Sequence, residues 1–143
     1  MLIADVNVFI GAHRASTPHH PRSRDWLARQ LNGPEPFGVS ELVLSAFVRI
    51  VTNHRAFPDA TAPGVALDFC ESMRAAPAST IVTPSSRHWP IFAELVRTTD
   101  ARANVVPDAY LAALAIENGA TFVTRDRGFA RFPGLRMLDP LAQ

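Results

Sequence analysis

Residues 105–126 read VVPDAYLAALAIENGATFVTRD, and this stretch decides the fold. Proline is tolerated in the first turn of a helix, and Pro107 sits near the start of an apolar, alanine-rich run that stops at Asn118-Gly119. The chain then turns at once into TFV, a short β-branched and aromatic segment bounded by polar residues, which reads as a strand. A helix delivering the chain directly into a strand is the repeating half of a parallel α/β sheet.

Working outward, the same alternation recurs. LIA (residues 2–4) reads as a short buried strand, continuing toward Val8–Ile10 as the start of a helix or turn before Gly11. The breaker-rich loop HRASTPHHPRSR leads to a helix from Ser23 that ends at Asn32-Gly33, and its Trp26, Leu27 and Leu31 are expected in the core or at a groove edge. PFGVS is a strand, and Ser40 is placed to cap a helix running through ELVLSAFVRIVTN. A helix from about Gly64 to Ala75 carries Leu67, Cys70 and Met73 on one expected face; STIVTP is a strand, SRHWPIFAELVRTT a helix, and LRMLDP the last strand. The expected architecture is α/β, with a central, mainly parallel β-sheet flanked by helices in three layers, formed by one domain spanning residues 1–143.

Composition narrows the partners. Fourteen basic against 13 acidic residues give a formal charge of +1, so bulk charge does not announce a polyanion binder. The single cysteine excludes an internal disulfide and a multi-cysteine zinc site, and Cys70 is expected as a core residue. His54 and His88 lack a second ligand at metal spacing and are expected as surface or internally satisfied residues. No basic segment precedes the first apolar run, and no window approaches the ~20 apolar residues of a membrane span, so a cytoplasmic protein is expected.

Ligands of open α/β sheets bind at the carboxyl ends of the strands. Four acids occupy such places: Asp5 after LIA, Glu41 after FGVS, Asp108 in the first turn after Pro107, and Asp126 after TFVTR. Each has a plain alternative: Glu41 and Asp108 suit helix N-termini, and Asp126 suits a turn. Asp5 is harder to explain structurally, since a carboxylate ending a buried strand loses hydration and needs a partner. Several carboxylates converging on one cleft require a cation, and oxygen-only ligation selects Mg²⁺ or Mn²⁺ over zinc. That chemistry suits hydrolysis of phosphate esters without a side-chain nucleophile. Asn7 and Thr124, each two residues from an aspartate, are candidates to orient Asp5 and Asp126. Arg14, Arg22 and Arg24, with Arg29, His13, His19 and His20, form a candidate phosphate-contacting group, or an ordinary solvated face.

At these residues the chain resembles the PIN-domain ribonucleases, specifically the VapC-type toxins of bacterial toxin–antitoxin pairs. The resemblance lies in ADVNVFI (4–10), SELVLSAFVRIVTN (40–53) and, most specifically, VVPDAYLAALAIENGATFVTRDRGFARFPGLRMLDP (105–140). It implies a PIN-like fold and a metal-dependent endoribonuclease, with Asp5, Glu41, Asp108 and Asp126 as the catalytic acids. Of these, Asp5, Asp108 and Asp126 would hold Mg²⁺ or Mn²⁺, and Asn7 and Thr124 would support them. Where some family members carry a further acid, this chain has Arg127, Gly128 and Phe129, so one or two metals both remain compatible. The resemblance also implies a tRNA or ribosomal RNA substrate, a small antitoxin covering the cleft, and homodimerisation. Two other readings are a small metal-dependent phosphatase, disfavoured by Asn7 where a second aspartate is usual, and a non-catalytic RNA- or protein-binding module. The second gains nothing from an uncompensated negative cleft.

Overall fold

The computed structural model describes residues 1–142; Gln143, the last residue of the expected domain, lies outside the described residues. Five three-residue strands, β1 (Leu2–Ala4), β2 (Phe37–Val39), β3 (Ser79–Ile81), β4 (Thr121–Val123) and β5 (Arg136–Leu138), form a wholly parallel sheet in the order β3-β2-β1-β4-β5. Among the described residues six helices connect them: α1 (Val6–His13), α2 (His20–Leu31), α3 (Glu41–Val51), α4 (Pro63–Ala75), α5 (His88–Thr99) and α6 (Val105–Glu117).

Alternation along the strands assigns the layers. Successive strand residues face opposite sides, so Leu2 and Ala4 join the core under α1 to α4, whereas Ile3 joins the core under α5 and α6. Phe122 and Val123 divide between the same two faces. Strand β1 is covered on both sides, which explains its unbroken apolar run. Gly38 in β2 has a packing reason: a Cβ there would approach Ile3 Cγ1 to 2.8 Å on the neighbouring strand.

The helices follow ordinary start and stop chemistry. Pro21 and Pro63 lie in the first turns of α2 and α4, and Gly119 adopts positive φ after α6, where glycine escapes the Cβ penalty. Ser40 occupies the N-cap of α3, as expected, without a side-chain capping bond. Trp26, Leu27 and Leu31 are core residues, and so is Cys70. Burial and the charge of Glu71 push the Cys70 thiol pKa up, which favours the protonated thiol over the nucleophilic thiolate.

Three local expectations require correction. The segment after Asp5 is helical throughout and passes through Gly11 to His13. Helix α2 begins at His20 rather than Ser23. Leu67 is 54% exposed and turned away from Ala66, Cys70 and Met73; packing on α3 chose a helix phase that places Ala66 inward. A 3₁₀ turn over Arg127–Arg131, capped by Asp126, also follows β4 and was not apparent from periodicity.

Candidate active site

The strand order has one reversal. From β1 the chain steps outward through β2 to β3, then returns to the opposite side of β1 as β4 and continues to β5. The carboxyl ends of β1 and β4 therefore flank the topological switch point, where an open α/β sheet has a crevice. Ala4 pairs with Val123, so Asp5 and Thr124 emerge side by side.

Asp5 performs two local tasks at once. Its amide donates to Val123 O at 2.9 Å, ending the strand ladder, and its Oδ1 accepts from the Val6 amide at 2.7 Å, capping α1. Its other oxygen, Oδ2, accepts from Thr124 Oγ1 at 2.8 Å and from Asn7 Nδ2 at 3.1 Å. Thr124 is only 2% exposed, and its hydroxyl also accepts from Asn7 Nδ2 (3.1 Å) and from the Asp126 amide (3.0 Å). Asn7 Oδ1 receives the Arg125 amide at 3.3 Å, tying α1 to the segment after β4. Asp126 is exposed and orders the next turn by accepting from Gly128 N at 2.8 Å.

Asp108, partly buried in the first turn of α6, completes the acidic group. Burial raises its carboxyl pKa, and the negative charges of Asp5 and Asp126 raise it further, against a smaller opposing effect of Arg131. Burial likewise raises the pKa of Asp5; its bonds to Thr124 and Val6 pull it down, and the charge of Asp126 adds to the upward push. Three carboxylates thus share one electrostatic environment although they are separated by up to 121 positions in sequence. Among the described residues, none of the three has a Lys, Arg or His nitrogen within 4 Å. Nor do any three or more His, Cys, Asp or Glu side chains stand close enough to form a ready-made cage around an ion, again among the described residues.

Glu41 has a different setting. It opens α3 at the end of β2, but its carboxylate is exposed and lies 3.6 Å from Arg74 Nη2 on α4, in a groove lined by Leu44, Cys70 and Glu71. A separate cleft of about 240 Å³ lies beside Asp5, walled by Val43, Ala46, Arg49, Pro107 and Leu111. Arg49 borders both spaces and was missed in the sequence. The spacing of Glu41, Ser45 and Arg49, four residues apart along one helix, is the signal that could have found it.

The proposed phosphate-contacting group is dispersed. Arg14 must be corrected outright: it is 7% exposed and pairs with the Asp59 carboxylate. It also donates to Asp59 O at 2.9 Å and to Thr61 Oγ1 at 3.3 Å, and lies 4.3 Å over the Phe57 ring. A guanidinium with this many internal partners anchors the loop after α3 rather than facing solvent. Arg22 donates to Leu141 O at 2.8 Å, and Arg24 contacts its neighbour Asp25 at 3.3 Å. His13 packs edge-on against Phe47 and Phe69, and burial lowers its pKa. His20 Nδ1 lies 2.9 Å from Gly11 O, and His88 is buried against Tyr110 O.

A parallel sheet with Asp5 and Asp126 at its switch point and Asp108 within electrostatic reach of both is an arrangement that sequence comparison specifies further. The PIN domain family matches residues 2–135, and the chain belongs to that family, within its VapC branch. It is 45% identical to Ribonuclease VapC43 of Mycobacterium tuberculosis over 99% of this chain and 96% of the relative. It is 37% identical to Ribonuclease VapC25 of the same species, over 98% and 99% of the two chains. Among solved structures, VapBC2 from Rickettsia felis bound to a promoter DNA fragment superposes with a TM-score of 0.68 at 17% identity, covering 96% of each chain. VapC20 of M. tuberculosis, a Sarcin-Ricin loop cleaving toxin, gives 0.65 at 18% identity, covering 95% of this chain and 99% of that one. At these identities the superpositions speak for the PIN fold. No helix among the described residues is long and apolar enough to cross a membrane.

Proposed function

We propose that this protein is a divalent-metal-dependent endoribonuclease, the toxin of a toxin–antitoxin pair, acting as one domain over residues 1–143 in the cytoplasm. The observation that carries the reading is the group Asp5, Asp108 and Asp126 at the carboxyl ends of β1 and β4 and the start of α6: burial first, and then neighbouring negative charge, raises the carboxyl pKa of Asp5 and Asp108, and among the described residues none of the three has a Lys, Arg or His nitrogen within 4 Å. Oxygen donors of this kind suit Mg²⁺ or Mn²⁺, and because Mg²⁺ keeps several waters it needs only one or two direct carboxylates, not a closed cage. Asp5, Asp108 and Asp126 are the residues that would hold it.

The chemistry that such an ion supplies when bound is Lewis-acid stabilisation of phosphate charge and activation of water for phosphodiester hydrolysis. The chain's own residues set the geometry. Thr124 and Asn7 donate to Oδ2 of Asp5, while the Val6 amide donates to Oδ1, so both carboxylate oxygens are oriented at the rim. Thr124 also holds the Asp126 amide, so one buried hydroxyl positions two of the acids. Glu41, which lies 3.6 Å from Arg74 at the start of α3 and outside the group of three, is proposed as the fourth acid. Arg22 and Arg24 are proposed to contact more distant phosphates along α2.

A tRNA or ribosomal RNA substrate, a small antitoxin as cognate partner and a homodimer are part of the same proposal. Support for the partner is indirect: the similar structures include VapBC complexes, among them one from Salmonella typhimurium bound to DNA. The test incubates purified protein with structured and single-stranded RNAs in Mg²⁺, in Mn²⁺ and in EDTA, beside Asp5→Asn. Cleavage is expected only for the wild type with metal. Equal cleavage by Asp5→Asn, or cleavage indifferent to chelation, overturns the mechanism.

A further inference from the structure

Arg131 closes the 3₁₀ turn that Asp126 opens, and it is the basic residue whose charge acts on Asp108. A guanidinium beside carboxylates ordinarily pairs with one of them in a forked geometry. Arg131 does not. Its Nε donates to Gly128 O at 2.7 Å, and among the described residues no carboxylate lies within 4 Å of its nitrogens. The side chain is exposed; its guanidinium is anchored through Nε, and among the described residues the two terminal nitrogens make no hydrogen bond.

Gly128 explains the spacing. A Cβ at that position would stand 3.0 Å from Asp126 Oδ1 and 3.1 Å from Arg131 Nη2, both tighter than normal contact. The glycine therefore stands between the Asp126 carboxylate and the guanidinium, close to both, while the two do not pair. An anchored Nε and an open pair of terminal nitrogens are the geometry with which arginine grips two oxygens of one phosphate.

We infer that Arg131, spaced from Asp126 by Gly128, contacts a phosphate of the RNA strand lying on the acidic rim. This rests on the nuclease reading above, and binding is measured apart from cleavage so that the two fail separately. The probe is a short, 5′-labelled single-stranded RNA of mixed sequence, titrated by fluorescence anisotropy in EDTA across a salt series. Removing one phosphate contact on a single strand lowers the slope of log K against log salt by about 0.7. Arg131→Ala is expected to show that loss, with roughly 5- to 10-fold weaker binding at low salt and an unchanged melting temperature. Arg131→Lys keeps the charge and hence the slope, while losing affinity because its ammonium has no fork. Gly128→Ala displaces the guanidinium and weakens binding in the wild type, but adds nothing in the Arg131→Ala background.

Wild-type affinity and slope in Arg131→Ala overturn the inference. So does an Arg131→Lys variant that loses the slope as fully as alanine, since only the Nε bond to Gly128 would then matter. A wild type that does not bind the RNA also overturns it. If binding depends on Arg131 but no RNA is cleaved in Mg²⁺ or Mn²⁺, the phosphate contact stands and the nuclease reading falls.

Discussion

Replacing Thr124 by valine removes one oxygen atom while keeping the β-branched shape that the end of β4 accommodates. That oxygen takes part in three hydrogen bonds: it donates to Asp5 Oδ2 at 2.8 Å and accepts from Asn7 Nδ2 at 3.1 Å and from the Asp126 amide at 3.0 Å. The bond to a carboxylate is the strongest; hydrogen bonds to charged groups contribute about 1.5–3 kcal/mol. Asn7 retains its bond to Asp5, and the Asp126 amide lies near solvent, so their losses are smaller. The expected destabilisation of Thr124→Val is therefore about 2–4 kcal/mol. Thr124→Ser keeps the hydroxyl and loses one buried methyl, about 0.8 kcal/mol. Urea unfolding in EDTA measures the difference, and with a slope of about 1–3 kcal/mol/M the two midpoints should separate by roughly 1 M. In the presence of Mg²⁺, Thr124→Val should cleave RNA about 10- to 100-fold more slowly than Thr124→Ser, the usual cost of removing a partner that orients a metal ligand. Because the Thr124 bond lowers the Asp5 pKa, its loss should also move the acid limb of the rate profile to higher pH. Equal stability of the valine and serine variants, within about 0.5 kcal/mol, would refute the claim that this hydroxyl holds Asp5 in place.

Three further outcomes are expected. The folded state raises the Asp108 pKa, so it binds this proton more readily than the unfolded chain, and wild-type stability falls as pH rises from the ordinary carboxylate range through the raised value. Asp108→Asn should therefore be more stable than wild type in EDTA at neutral pH, with the gap closing toward about pH 4; it should also lose most of any stabilisation by added Mg²⁺, and a gap unchanged by pH speaks against a carboxyl pKa raised by burial and neighbouring charge. Arg14→Ala should destabilise the fold by about 1.5–3 kcal/mol, through loss of an internally bonded guanidinium whose partner Asp59 stays exposed, while leaving the salt slope of RNA binding unchanged; a lower slope would return Arg14 to the RNA-contacting surface. Phe47, fully buried and stacked on Phe69 at 4.7 Å between centroids, should cost about 3–5 kcal/mol as alanine in thermal or urea unfolding.

The alternation of helices and strands was legible because its signals are local. Pro107 and Gly119 bracket α6, Asn32-Gly33 ends α2, and runs such as LIA and TFV are too short and too apolar for anything but buried strands. Asp5, Asp108 and Asp126 were legible as acids at strand ends or helix starts for the same reason. The exact start of α2 and the 3₁₀ turn after Asp126 were not, because the first depends on Pro21 entering a first turn behind a left-handed His19, and the second on an aspartate cap over five residues.

Sequence by itself determined which residues end strands and which begin helices, since capping, periodicity and backbone restriction act over a few positions. Only the tertiary structure decided who meets whom. Setting β4 beside β1 brought Thr124 to Asp5 across 119 positions and made one buried hydroxyl common to two acids. The same packing drew Arg14 inward to Asp59, turned Leu67 outward, set Glu41 against Arg74, and left Arg131 beside the acids with its fork open. Strand order and helix phase are chosen by the burial of whole faces, worth far more than any single polar contact, so the partners of individual charges follow from packing.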